Sequence, residues 1–290
     1  MTGRMTAMGA GYWRGVVRDG VQVPPDRSLG DLTAELTSML GSPDPELRDG
    51  LALQVLTVWI GRGVYDDLLV GLGDGMVAGL RVGIGESEGT SVFRRSWSAR
   101  VIAQVLRRDN DAELLSGSDV LRWGDLIAVW MLREEDVRGW IPGQGTARAV
   151  AHGADAIAAL ASSRHLERLG LTVLLDVLAD RVLDTNPLLS GEIDHLAAAA
   201  VQVVVRDLVG LEVLEQWIAR IASEADPEFV VLGADPHLST HNAQTFLRTL
   251  HLLLLLGPHR PKTRADLLLV ISEALQFSNP QHLPRWVTGK

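Results

Sequence analysis

The sequence predicts an all-α protein: a right-handed α-solenoid of stacked helix pairs with about eleven helices, or, as the alternative, an irregular helical bundle. Three observations carry this. Apolar residues recur at helical spacing along almost the whole 290-residue chain. Aromatic residues, which favour strands, are only 5% of it. Gly and Pro clusters interrupt the pattern about every 20–25 residues.

The helices follow in order. The first covers 28–40 and stops at Gly41-Ser42-Pro43-Asp44-Pro45. The second, 45–61, has Asp44 as N-cap and Pro45 at the first helical position, where a missing N–H costs nothing. The third, 64–83, contains Gly71, Gly73, Gly75 and Gly79; with no strand before them they suit close helix packing or a frayed helix, not a phosphate loop. It ends at Gly83-Ile84-Gly85, and 90–108 and 117–135 follow, then Pro142-Gly143. Helices 146–162 and 166–183 precede Asn186-Pro187. Ser190 opens 190–207, and 211–224 comes next. Ser239-Thr240-His241-Asn242 caps 240–256, which ends at Gly257-Pro258, and Thr263 opens 263–277.

No Gly-, Ser- or Pro-rich linker divides the chain, so 28–290 reads as one helical-repeat domain behind a weakly ordered N-terminal extension, 1–27. Two helices make a unit of about 45 residues, the size of a HEAT or armadillo repeat. The run from Ser42 to Leu56 resembles the second half of a HEAT unit, with Asp44-Pro45 starting the helix and Arg48 on its polar side. Ala225-Asp226-Pro227-Glu228 is an echo without the arginine.

Further motifs stand in fixed order: Ser42–Asp49 with Trp59-Ile60; Ser91-Val92-Phe93-Arg94-Arg95-Ser96-Trp97-Ser98 leading to Leu106-Arg107-Arg108-Asp109-Asn110; Glu135-Asp136-Val137-Arg138-Gly139-Trp140, then Gly145 and Ala151-His152-Gly153-Ala154-Asp155; and Phe246-Leu247-Arg248-Thr249-Leu250. In these the chain resembles a bacterial family known only as a domain of unknown function, number twenty-seven eighty-five. The resemblance implies a helical fold and brings no activity with it. Where the family usually has Gly-Trp-Ala-His, this chain has Gly145-Thr146-Ala147-Arg148, so an aromatic and a histidine are missing.

The net charge of −9 weighs against nucleic acid and anionic membranes as partners. The absence of cysteine excludes disulfides, thiolate nucleophiles, Fe–S clusters and Cys-type zinc sites. Met1–Gly20 has Arg4, Arg14 and Arg18 and no continuous apolar stretch, so it does not read as a secretory signal, and the expected location is the cytoplasm. The longest apolar run, Leu250–Leu256, is broken by His251 and falls far short of the ~20 residues of a membrane span. There is no Gly-x-Ser-x-Gly elbow, P-loop, His-Glu-x-x-His or dinucleotide fingerprint, and no cofactor or metal is expected.

The candidate chemistry lies around the third motif. Glu134, Glu135 and Asp136 end a helix, where the dipole disfavours acids, and Arg138 is a ready partner. Arg148, His152 and Asp155 follow at i, i+4 and i+7 on one face of the next helix. One reading is a polar pocket: His152 as general base, Asp155 orienting it, Glu135 as a second acid, Arg138 or Arg148 clamping an anionic substrate, and Asp136 among the ligand-binding residues. The other is a hydrogen-bond network locking neighbouring helices. Arg94, Arg95, Ser96 and Ser98 open a helix and suit an anion, with Trp97 beside them; alternatively Phe93 and Trp97 are a core stripe and the arginines meet solvent or carboxylates. Trp123 and Trp130, a heptad apart, either line an apolar groove or fill the core. His251, inside its apolar run, reads as a satisfied core residue.

Two functions follow. The first is a binding module whose concave face takes a protein, peptide or small-molecule ligand. The second is an enzyme of bacterial small-molecule metabolism with a polar cleft around Arg138, His152 and Asp155.

Overall fold

The computed structural model describes residues 7–225 and 235–279. Among these the chain is all-α, with thirteen α-helices and a single two-stranded hairpin. It divides into two compact units, Met1–His152 and Gly153–Lys290.

In the first unit, α1 (Ala7–Arg18) lies within the stretch read from the sequence as an extension. Its Trp13 is fully buried and packs on Trp59, with ring centroids 6.2 Å apart. Trp59 meets Tyr65 at 6.3 Å, and its indole Nε1–H donates to Val21 O. The hydroxyl of Ser28 accepts the Asp31 N–H and starts α2 (Leu29–Met39). Asp44 accepts the Glu46 N–H at 2.9 Å, as its N-cap role requires, but the next turns are wider than the periodicity implies. Glu46–Leu53 is a π-helix that continues as α3 (Gln54–Gly61). Arg48, placed on the polar side by the repeat pattern, is instead completely buried, because the faces of Phe93 and Trp97 receive it.

A 3₁₀ turn leads into α4 (Leu69–Gly79), which packs on α5 (Ser91–Ala112) and α6 (Gly117–Arg133). A Cβ on Gly73 would lie 2.2 Å from Trp123 Cη2, and one on Gly79 would lie 2.1 Å from Ser98 Oγ. Gly71 and Gly75 face open space, so two of the four glycines serve close packing. After α6 the chain forms a hairpin, β1 (Trp140–Ile141) with β2 (Gly145–Thr146), where the sequence suggested only a tight connection. Two residues per strand leave no alternation to read. Helix α7 (Ala149–Ala161) spans the boundary between the units.

The second unit holds α8 (Arg168–Val182), α9 (Glu192–Val204), α10 (Leu211–Ser223), the short α11 (Pro236–Ser239), α12 (His241–Leu256) and α13 (Arg264–Ser278). Helix α8 packs on α9 and α10, α9 on α12, α10 on α12 and α13, and α12 on α13. Two buried amides fix this arrangement. Asn242 accepts from Leu188 N and donates to Asp184 O and Asn186 O, pinning the loop before α9. Gln244 Nε2 donates to Ala225 O and Ser278 O, so the C-terminal ends of α10 and α13 meet at the start of α12. The Asp226-Pro227 echo lies outside the described residues.

Candidate functional site

The third motif begins where α6 ends. Glu134 leaves the helix in an extended conformation and its carboxylate turns inward. There it meets Arg95 in a two-pronged pair, Nε to Oε2 at 2.5 Å and Nη2 to Oε1 at 2.7 Å, with both side chains fully buried. Glu134 also accepts from Trp130 Nε1 and Asp136 N. The remaining N–H groups of Arg95 go to Val82 O, Gly83 O, Glu86 O and Ser91 Oγ. No donor of Arg95 is left for an anion, and its chemistry is that of a buried brace.

Asp136 is likewise buried and closed upon Arg138. It accepts from Arg138 N at 3.1 Å, Nε at 2.8 Å and Nη2 at 2.5 Å, while Nη2 also reaches Gly89 O. The hydrogen bond to Asp136 holds the Arg138 guanidinium above the ordinary arginine range. Glu135, between the two buried acids, points to solvent.

Arg148 is half-buried at the entry to α7, with φ of 51°, a left-handed conformation uncommon for a residue with a Cβ. Its N–H donates to Arg138 O and its carbonyl accepts from His152 N, which closes the hairpin onto the helix. His152 is half-buried. Its Nδ1 lies 2.9 Å from Ser96 Oγ, and its ring stands edge-on to Trp97 with centroids 4.9 Å apart. A Ser–His contact suggests a nucleophile and its base. Ser96, however, has no solvent exposure, and its hydroxyl donates to the Ala147 carbonyl. No substrate carbonyl can reach it.

Behind Trp97 lies a residue the sequence did not single out as part of this cluster. The Arg48 guanidinium sits 4.1 Å from the Phe93 centroid and 4.5 Å from that of Trp97. It forks onto Asp49 and donates to Ser42 O and to Gln144 O in the hairpin. Phe93 and Trp97 are a core stripe, as one reading of their i, i+4 spacing had it. Arg94 reaches the carbonyls of Thr37 and Gly75, and burial pulls its guanidinium below the usual arginine range. Trp123 and Trp130 are also buried, with their indole N–H groups on Asp74 and Glu134.

In the second unit, Asp155 pairs with His195, Oδ1 to Nδ1 at 2.8 Å. His251 shares a hydrogen bond with Ser272. An open feature among the described residues is a groove of about 390 Å³ between α10 and α13, lined by Ile218, Ala219, Ala222, Ser223, Val270, Glu273, Ala274 and Phe277. Phe277 is 44% exposed at its edge. Sequence reasoning passed over these residues. Their signal is faint: a row of small side chains, Ala219, Ala222 and Ser223, on a face of α10 where long polar ones would be ordinary.

The model of the family described as protein of unknown function (DUF2785) matches residues 80–252, more than half of the chain. The chain belongs to this family. No curated protein and no solved structure matches it. The DUF2785 match takes in the Arg95–Glu134 brace, the Asp136–Arg138 pair, His152 and α10, while Arg48 and α13 lie outside it. Among the described residues of this DUF2785 chain, no group of three His, Asp or Glu is placed to hold a metal ion. Nor is any helix among them long and apolar enough to cross a membrane.

Proposed function

We propose that the chain is a binding module: an α-solenoid of stacked helix pairs that recognises a protein or peptide on the layer formed by α8, α10 and α13. The packing order supports the solenoid. In the second unit alternate helices contact one another, α8 with α10 and α10 with α13, while α9 lies against α12. The observation that carries the binding reading is the open apolar groove between α10 and α13. The enzymatic reading has less support, because Arg138 is closed on Asp136, Asp155 is held by His195 and Ser96 is sealed from solvent.

The test is selection of peptides of about 16 residues, some four helical turns, from a display library on the intact protein, followed by hydrogen exchange of the bound complex. Slowed exchange over 211–223 and 264–278 is the expected result. Protection confined to the segment 134–152, with α10 and α13 unchanged, refutes the assignment and returns attention to His152.

A further inference from the structure

We infer that the α10–α13 groove receives a basic amphipathic helix of another protein, an inference that rests on the binding-module reading above. The floor of the groove is apolar, and its lining spans Val270 to Phe277 on α13, about two turns or 10 Å. That length suits the i, i+3, i+4, i+7 anchors of one helical face.

Among the described residues, the charges that α10 and α13 place along it are acidic apart from Arg220, and Arg248 of α12 reaches Asn279 at the end of α13. On α10, Glu215 lies four residues before Ala219 and seven before Ala222, so it continues the groove-lining stripe. On α13, Asp266 lies four residues before Val270, and Glu273 lines the groove itself. Glu212 extends the α10 stripe by one more turn. All four carboxylates are exposed. Glu212 and Asp266 stand in first turns, where the helix dipole accounts for acids. Glu215 and Glu273 do not, and no dipole explains them. The sole arginine of α10, Arg220, pairs with Asp180. The sole arginine of α13, Arg264, is turned away onto the carbonyls of Leu254 and Leu255. Neither helix contains a lysine or histidine. An apolar slot bordered by uncompensated acids complements apolar anchors flanked by Lys or Arg, and repels an acidic helix.

Two synthetic peptides of about 16 residues with the same Leu and Phe anchors test this, one flanked by Lys and one by Gln, titrated against the full-length protein by fluorescence anisotropy. The Lys peptide is expected to bind, with affinity falling about tenfold between roughly 0.05 and 0.5 M salt as the rim is screened. The double variant Glu215→Lys with Glu273→Lys should weaken it about tenfold and flatten that salt dependence. Ala219→Trp, which fills the slot from an exposed position, should abolish binding; circular dichroism confirms that each variant is folded. If the Gln peptide binds as tightly, or the charge reversal changes nothing, the basic partner is wrong while groove recognition stands. If neither peptide binds, or Ala219→Trp leaves binding intact, both readings fail. Self-association that Ala219→Trp dissolves in sedimentation assigns the groove to a second copy and overturns the inference.

Discussion

Replacing Gly73 by alanine should destabilise the protein even though alanine is the better helix former. A Cβ built on Gly73 falls 2.2 Å from Trp123 Cη2, 2.3 Å from Cζ2 and 2.8 Å from Cζ3. Ordinary contact begins near 3.4 Å, so the indole must retreat by about 1.2 Å. Trp123 has no solvent exposure to retreat into, and its Nε1 is tied to Asp74 at 2.8 Å. Overpacking costs about 1–3 kcal/mol, and loosening a hydrogen bond to a carboxylate costs about 1–2 kcal/mol more. The gain in helix propensity returns about 1 kcal/mol. The net is a loss near 2 kcal/mol, or about 4–8 °C in the melting midpoint for a unit of this size. Gly71→Ala and Gly75→Ala, on the same helix with nothing within 4 Å, supply the controls. They should gain up to about 1 kcal/mol from propensity alone. Thermal melts followed by far-UV circular dichroism and tryptophan fluorescence separate the three variants. If Gly73→Ala melts at or above the wild type, or all three shift together, the glycine is not there for Trp123.

Glu134→Ala leaves the fully buried Arg95 guanidinium uncompensated and should cost about 3–5 kcal/mol in a denaturant titration, if the chain folds at all. Arg48→Lys keeps the charge but loses the planar fork on Asp49 and the stack on Phe93 and Trp97; a loss of about 2 kcal/mol is expected, and a neutral result would show the stack to be incidental. Burial pushes the Tyr65 phenol from 10.0 up to about 12, so the folded state keeps its proton where the unfolded chain releases it. That contribution, about 2–3 kcal/mol, is complete below pH 10.0 and is lost as pH rises from there toward about 12. Tyr65→Phe should flatten this alkaline limb and remove the later of the tyrosinate absorbance steps.

Helices whose buried face repeats every three to four residues were legible in the sequence, and so were their stops. Asp44 caps its helix as a short polar side chain does, but Ser190 and Thr263, read as openings in the same way, make no capping bond: Gly191 stands at the N-cap of α9 and the Thr263 hydroxyl does not cap α13. Periodicity also separated the glycines of α4 from a phosphate loop, although it could not say which of them meet a neighbour, since that depends on Trp123 for Gly73 and on Ser98 for Gly79, both on other helices. The partners of charged residues were beyond reach for the same reason. Arg138 closes on Asp136 two residues off, which spacing suggests, but Arg95 finds Glu134 thirty-nine residues on, and Arg48 finds the Gln144 carbonyl at ninety-six. A motif rich in Arg, Asp, Glu and His looks alike whether its groups converge on solvent or on one another; here Arg95, Glu134, Asp136 and Arg48 are buried. The groove between α10 and α13 is legible only in reverse, as small residues where nothing local demands them. A groove of this kind has little distinctive sequence, because recognition through shape and rim charge uses residue types that surfaces carry everywhere.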